Sequence, residues 1–366
     1  MEKTLYAPPD LDSTPEVDEL LRRLEFGPFE RDSLTSAPGR NEAWKGTTAS
    51  GQAVFVKRLM GSPADVQARL TRLLQFQDLA ADLQAEGPLR CPRLLGHDRQ
   101  AALVAFECIE DAQTGALMMV EETFDDSLAF RAGQAIGTLH AFGPTRADLE
   151  TEPPALPSLD LLHGVPEKMM ENFSFGQISA WGLMQKDQQL VKGIASLLES
   201  ESRAPKAPSH CDMRVDQFLV VDGALYIADW EEFRLADPAR DVGAFAGEWL
   251  YRSILDIVTT RGDSTLTEFE MTHDLIVRRG VEKLERLRPR IVHFWSGYRS
   301  IRGEVDPQLV SRATAFAGWH TLDRLTASAL RSVRLSGIER AAAGVGRAAL
   351  LAPEKFATTL GFEEAA

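Results

Sequence analysis

The sequence predicts an α+β chain of two lobes, a small β-rich amino-terminal lobe and a larger, mostly helical remainder. Three observations lead there. Short β-rich runs cluster in roughly the first 108 residues, with one amphipathic helix among them. Apolar spacing beyond that point is mostly helical. A length of 366 residues is enough for two lobes, each with its own core. The expected partition is 1–108 and 109–366, with a hinge near Phe106–Ile109.

The elements follow in order. Residues 1–30 read as a loose lead-in carrying a short helix from Val17 to Leu24. The runs 35–48 and 53–59 are joined by Ala49-Ser-Gly-Gln52 and read as a β-hairpin. Residues 63–83 place Leu, Val, Phe and Ala at helical spacing. Pro92–Leu95 and Ala102–Glu107 are two further short strands. Leu128 to Phe142 is a helix with Ala, Ile and Leu on one face. Residues 144–160 are rich in proline and acids and read as a loop. Residues 177–200 form another helix. Two short strands, 218–221 and 224–228, come next, and helices continue to about residue 345. No internal repeat or long low-complexity segment interrupts the pattern.

Composition excludes several classes. Hydrophobic residues are 44% and charged residues 26%, ordinary for a globular protein. No apolar run approaches the ~20 residues needed to span a bilayer. The start, Met-Glu-Lys-Thr-Leu-Tyr-Ala-Pro-Pro-Asp, lacks a basic-then-apolar signal, so a cytoplasmic location is expected. Three cysteines, Cys91, Cys108 and Cys211, suit neither a disulfide framework nor a zinc site. A net charge of −14 argues against nucleic acid as a partner. The charge is uneven: Arg279 to Ala352 holds thirteen Lys and Arg against six Asp and Glu. That region could dock an acidic partner, or simply present solvated helix faces.

The densest chemistry lies at 209–230. Asp212 follows His210 by two, Gln217 follows Asp212 by five, and Asp229 follows it by seventeen, at the end of the apolar run Leu225-Tyr-Ile-Ala. Kinases use such a set. One acid orients and deprotonates a hydroxyl, while an amide and a second acid hold Mg²⁺ on the phosphates. Asp212 is the expected catalytic residue. Gln217 and Asp229 are the expected metal ligands, although kinases usually carry Asn at the amide position. Cys211 beside His210 raises the idea of a nucleophilic pair, but adjacent side chains rarely point at each other. His210 is expected to hold the loop backbone, and a proton-shuttle role is the alternative. Arg214, inside the loop, could meet a phosphate or a substrate acid. Asp241 is expected to pin the loop. Glu231 and Glu232 add charge nearby; one could be a further metal or substrate contact, but both read as supporting or surface acids. The other histidines lack metal-ligand spacing.

Upstream, Lys57 ends the alternation Val54-Phe-Val-Lys57. A strand lysine after a Gly-containing hairpin can reach nucleotide phosphates. Gly39, Arg40 and Asn41 form the candidate phosphate-covering loop, although it matches no established glycine motif. The acid expected to fix Lys57 lies on the following helix, which has no Glu there, and Asp78 is the nearest choice. Glu107, at the hinge, completes the nucleotide-side group. The cofactors expected are ATP and Mg²⁺.

These residues resemble the aminoglycoside phosphotransferase and choline kinase-like superfamily, whose fold is bilobal and protein-kinase-like. Its motif His-Gly-Asp-Leu-His-x-x-Asn corresponds to His210-Cys-Asp-Met-Arg-Val-Asp-Gln217, and Ile-Asp-Trp-Glu to Ala228-Asp-Trp-Glu231. The likeness runs from about residue 35 to 300. Pro38-Gly-Arg-Asn-Glu-Ala-Trp44, Val54–Leu59, Ala317-Gly-Trp-His-Thr-Leu-Asp-Arg324 and Ala343-Gly-Val-Gly-Arg-Ala-Ala-Leu350 carry a narrower likeness. Together with the Cys and the Gln, they resemble the kinase subunit of class V lanthionine synthetases and relatives in thioamitide clusters. That resemblance implies phosphorylation of Ser and Thr in a ribosomally made precursor peptide. A separate phospholyase subunit would then eliminate phosphate, and a cyclase subunit could join them. A small-molecule kinase and a pseudokinase scaffold are the alternatives. The acidic first two-thirds suits a cationic small acceptor. Gln217 and the missing helix Glu motivate the scaffold, whereas Lys57, Asp212 and Asp229 count against it.

Overall fold

The computed structural model describes residues 7–37, 39–143, 148–154, 159–261, 263, 273–330 and 332–362. Pro38 and parts of the expected loop, 144–147 and 155–158, lie outside the described residues.

In chain order the elements begin with helix α1 (Pro15–Arg23), strands β1 (Glu42–Thr47) and β2 (Ala53–Arg58), and helix α2 (Pro63–Glu86). Strands β3 (Leu94–Asp98), β4 (Leu103–Glu107) and β5 (Gln113–Thr114) follow. Then come helices α3 (Gly115–Glu121), α4 (Asp126–Ala141), α5 (Leu159–His163), α6 (Glu167–Met170), α7 (Phe175–Lys186) and α8 (Gln188–Ser202). Strands β6 (Ala207–Ser209), β7 (Phe218–Val221), β8 (Ala224–Ile227) and β9 (Arg234–Ala236) precede α9 (Ala239–Leu255) and α10 (His273–Arg302). Helices α11 (Leu309–Ala329), α12 (Gly337–Leu351) and α13 (Pro353–Leu360) end the fold.

The chain forms two compact units, Met1–Met118 with Asp216–Phe233, and Met119–Val215 with Arg234–Ala366. The expected division at 108 therefore moves to 118, and a later segment joins the first unit. Strand pairing explains both changes. β5 pairs antiparallel with β7, and β7 with β8. After β8 a single 3₁₀ turn, Trp230–Glu232, packs on α2, with Trp230 stacked on Phe76 at 3.6 Å between ring centres.

The main sheet of the first unit is antiparallel in the order β1-β2-β4-β3. Side chains alternate across it, so each face has its own core. Val54 and Val56 pack on one face with Leu20, Leu21, Trp44, Leu103 and Ala105. On the other face, Leu59 and Val104 pack with Val66, Leu70 and Leu73 of α2. Lys57 stands opposite Val104 in the register, and that parity assigns it to the α2 side. The β7–β8 hairpin turns at Asp222-Gly223, both at positive φ (47° and 74°), which is what an Asp-Gly hairpin turn requires.

The second unit is helical. Helices α4 and α10 approach until a Cβ built on Gly133 would lie 1.9 Å from the Phe294 carbonyl oxygen. One built on Gly297 would lie 2.0 Å from the Phe130 oxygen. The helix expected over 177–200 is two helices. Asp187 ends α7, and its carboxylate accepts the Gln189 and Leu190 N–H groups that open α8. Helices also continue past residue 345, through α12 and α13. The short pair β6 and β9 escaped the sequence reading; three-residue strands leave no periodicity to detect.

Candidate active site

The first unit carries the residues expected on the nucleotide side. Lys57 Nζ contacts Asp229 Oδ1 and lies 3.1 Å from Glu231 Oε2. Burial disfavours its charge, but Asp229 and then Glu231 outweigh that and raise its pKa. The acids beside Lys57 are thus Asp229 and Glu231, whereas the expected Asp78 is exposed on α2. The physical reason is the composition of α2, which sends arginines toward the turn after β8. Arg69 is fully buried, with Nη1 3.3 Å from Glu231 Oε1. Arg72 donates to the Glu231 carbonyl at 2.8 Å and pairs with Glu232 at 3.1 Å. The carboxylate therefore comes from the turn and the cations from the helix.

Glu231 gathers still more. Arg40 Nη2 reaches its Oε1 at 2.8 Å, and Asn41 Nδ2 donates to its Oε2 at 3.3 Å. Asn41 Oδ1 accepts the Met60 N–H at 2.9 Å and a bond from Arg69 at 3.3 Å. One nearly buried carboxylate thus joins Arg40 and Asn41 of the expected phosphate loop to Lys57. Sequence reasoning treated Glu231 as peripheral. Its place two residues after Asp229 was a usable signal, because a 3₁₀ turn carries it back toward the strand end. Gly39 is exposed in a bend, and nothing lies nearer than 4.0 Å to an added Cβ, so this position does not demand glycine. Glu107, at the end of β4, accepts the Arg93 N–H at 3.0 Å.

Gln217 Nε2 donates to Asp229 Oδ2 at 3.4 Å, so the two expected metal ligands adjoin. Asp229 sits in the left-handed region (φ 67°, ψ 54°), a conformation aspartate adopts more readily than most residues. An Asp carboxylate beside a Gln amide offers the oxygen donors a hard divalent cation takes. The pair fits such an ion completed by phosphate and water. Among the described residues no group of three or more His, Cys, Asp or Glu forms a metal cluster.

The second unit carries the residues expected on the acceptor side. The Asp241 carboxylate takes the His210 N–H at 2.7 Å and the Cys211 N–H at 2.8 Å. It also meets His140 Nε2 at 3.1 Å, and His140 Nδ1 is 3.0 Å from the Tyr298 hydroxyl. Burial would raise the Asp241 pKa, but the His140 hydrogen bond, the charges of His140 and His210 and the loop N–H bond lower it. His210 is buried, and its Nδ1 accepts the Asp212 N–H at 3.3 Å, so the ring braces the loop. Asp212 itself is partly exposed, with Arg214 Nε 3.3 Å from Oδ1.

Cys211 holds φ 64°, where the superfamily motif has glycine. Burial and then Asp241 push its thiol pKa well up, which removes a thiolate nucleophile. Beyond Arg214, the Glu248 carboxylate accepts the Val215 N–H at 3.4 Å, and its other oxygen meets His320 Nε2 at 2.6 Å. Burial pushes the Glu248 carboxyl up, but His320, Arg324 and Arg214 outweigh it and hold the pKa at about 2. Neither Glu248 nor its pairing with His320 was foreseen, since nothing in their spacing links them.

The profile of the phosphotransferase enzyme family (APH) matches residues 39–268, well over half of the chain, and the chain belongs to that family. It is a phosphotransferase. Solved structures share its fold at low identity. One is a choline/ethanolamine kinase family protein from Mesorhizobium loti, with 17% identity and a TM-score of 0.52, covering 96% of this chain and 98% of that one. Another is a microcompartment-associated aminopropanol kinase, at 12% and 0.52, covering 97% and 99%. A third is the amicoumacin kinase hAmiN in complex with AMP-PNP, Ca²⁺ and Ami, at 13% and 0.51, covering 89% and 90%. No curated protein matches. No helix among the described residues is long and apolar enough to cross a membrane.

Proposed function

We propose that this phosphotransferase uses ATP to phosphorylate Ser and Thr hydroxyls of a ribosomally made precursor peptide. A separate phospholyase subunit then eliminates the phosphate, within lanthipeptide or thioamitide biosynthesis, and a cyclase subunit acts on the product. The peptide reading rests on the narrower likeness, and one observation ties that likeness to the site. Of the segments behind the narrower likeness, Ala317–Arg324 puts His320 on Glu248, whose other oxygen takes a backbone N–H from the end of the Asp212 loop. What is distinctive in the sequence thus bears on the catalytic loop as well as on the nucleotide side.

The chemistry follows from the residues. Asp212 accepts the hydroxyl proton as the oxygen bonds to the γ-phosphorus and the bond to the β–γ bridging oxygen breaks, releasing ADP. Lys57 and Arg40 supply positive charge for the phosphates. Asp229 and Gln217 would hold Mg²⁺, which neutralises phosphate charge when bound. Hydroxide is a poor leaving group and phosphate a good one, so the transfer prepares Ser and Thr for elimination to dehydroamino acids.

The test is mass spectrometry of a Ser/Thr/Cys-rich precursor peptide encoded beside this chain, incubated with ATP, Mg²⁺ and the phospholyase. A gain of one phosphoryl group per modified hydroxyl, or the matching loss of water, is expected. Asp212→Ala should cut the rate by ~10²- to 10⁴-fold, the usual contribution of a general base. An unchanged precursor would sink the peptide reading. Rapid turnover of small amino alcohols or antibiotics without peptide would assign the chain to small-molecule phosphorylation. Absence of turnover on every acceptor would leave a nucleotide-binding scaffold.

A further inference from the structure

We propose that Glu248 is a positioning residue for phosphotransfer, holding the far end of the Asp212 loop from the same helix on which Asp241 holds the near end. The inference rests on the assignment of Asp212 as the group that accepts the hydroxyl proton.

The geometry starts from α9. Asp241 and Glu248 both belong to it and are seven residues apart, close to two turns, so they share a face. Asp241 takes the N–H groups of His210 and Cys211, and Glu248 takes that of Val215. Asp212 lies between these attachments. Its own N–H is directed inward to His210 Nδ1. The loop is thus suspended by backbone hydrogen bonds at both ends from two carboxylates on one rigid helix. A loop with left-handed backbone at Cys211 needs such support. Side chains on a surface loop are otherwise free to wander, and a displacement of about 1 Å can cost ~10²-fold in rate.

Each carboxylate has a histidine behind it. His140 stands on Asp241 at 3.1 Å and His320 on Glu248 at 2.6 Å. The two histidines come from different helices, α4 and α11, so two parts of the second unit converge on the loop through one helix face. The two grips differ in strength. Asp241 makes two short bonds and is fully buried, whereas Glu248 makes one longer bond and has 15% of its side chain exposed. The charges of Arg324 and Arg214 also favour the Glu248 carboxylate. Arg214 is itself 3.3 Å from Asp212.

The test uses the full chain with MgATP and water as acceptor, read as ADP release, beside amide hydrogen exchange of peptides spanning 210–216. Glu248→Ala should lower kcat by ~10- to 100-fold with KM for ATP changed less than ~3-fold, as loss of positioning alone predicts. Exchange at 210–216 should quicken. Glu248→Gln keeps an oxygen for the Val215 N–H and should recover most of the loss. His320→Gln, which keeps a donor for Glu248, should fall between wild type and Glu248→Ala, and it supplies the same readouts if Glu248→Ala does not fold. Wild-type kcat together with wild-type exchange at 210–216 in Glu248→Ala would overturn the proposal. A kcat in Asp212→Ala equal to wild type would instead refute the role of Asp212, while the exchange measurement still tests the suspension.

Discussion

At the residue scale, the candidate nucleotide side is organised by Glu231. It collects Lys57, Arg40, Arg69 and Asn41 on one carboxylate. Removing a partner from a buried ion network leaves charge uncompensated, so Glu231→Ala should cost about 3 kcal/mol of stability and raise KM for ATP. Asp78→Asn, on the exposed face of α2, should change neither. Urea denaturation and steady-state kinetics on both variants check this, and the reverse ranking would return the lysine-fixing role to α2. Glu248 makes a pH prediction. Its folded pKa of about 2 lies below the ordinary 4.5. The carboxylate therefore adds stability that is complete above the unfolded pKa and is lost as pH falls toward the folded value. Linkage puts that component at about 3 kcal/mol. Wild type should lose it between roughly pH 4.5 and 2, and Glu248→Gln should lack that part of the acid dependence. Urea midpoints measured downward from neutral pH would show parallel curves for the two proteins if the idea is wrong.

At the scale of elements, glycine decides how closely helices meet. Gly133 and Gly297 face each other's helix backbone across α4 and α10, and a Cβ at either would overlap a carbonyl oxygen. Gly133→Ala must push the helices apart and should cost about 3 kcal/mol, at the upper end of overpacking penalties. The shift would also move His140, which α4 presents to Asp241, so kcat should fall along with the melting temperature. A variant that melts like wild type would contradict the packing. Most helices and the main hairpin were legible because periodicity and turn residues are local signals. The break at Asp187 and the pairing of β6 with β9 were not. The break depends on a side chain capping the next helix. The pairing joins three-residue segments too short to carry a pattern.

At the scale of the molecule, the family match ends at residue 268, yet the second unit is unfinished there. Helices α10 to α13 follow, and α11 and α12 touch at Gly318 and Gly346, each glycine lying where a Cβ would meet the other's oxygen. Ala342, Ala343, Ala349, Leu350, Leu360 and Phe362 are buried. Truncation after Val333 would expose the apolar surface of α11 and the Trp295 ring of α10 that this segment covers. The shortened chain should aggregate or lose cooperative melting, as circular dichroism and thermal denaturation would report. A soluble, cooperatively melting truncation would mean that α12 and α13 are an appendage.

The sequence by itself determined the kind of fold and the phosphotransferase class, and it singled out Lys57, Asp212, Gln217 and Asp229 as the candidates for that chemistry. Each lies in a short motif whose spacing reflects local backbone geometry, and local geometry is written in consecutive residues. The tertiary structure alone decided which charges meet. Glu231 joins Asp229 at Lys57, the arginines of α2 turn to the segment after β8, and His320 finds Glu248. Partners in such pairs are far apart in the chain. No periodicity connects them, and only the packing of strands and helices brings them within hydrogen-bond reach.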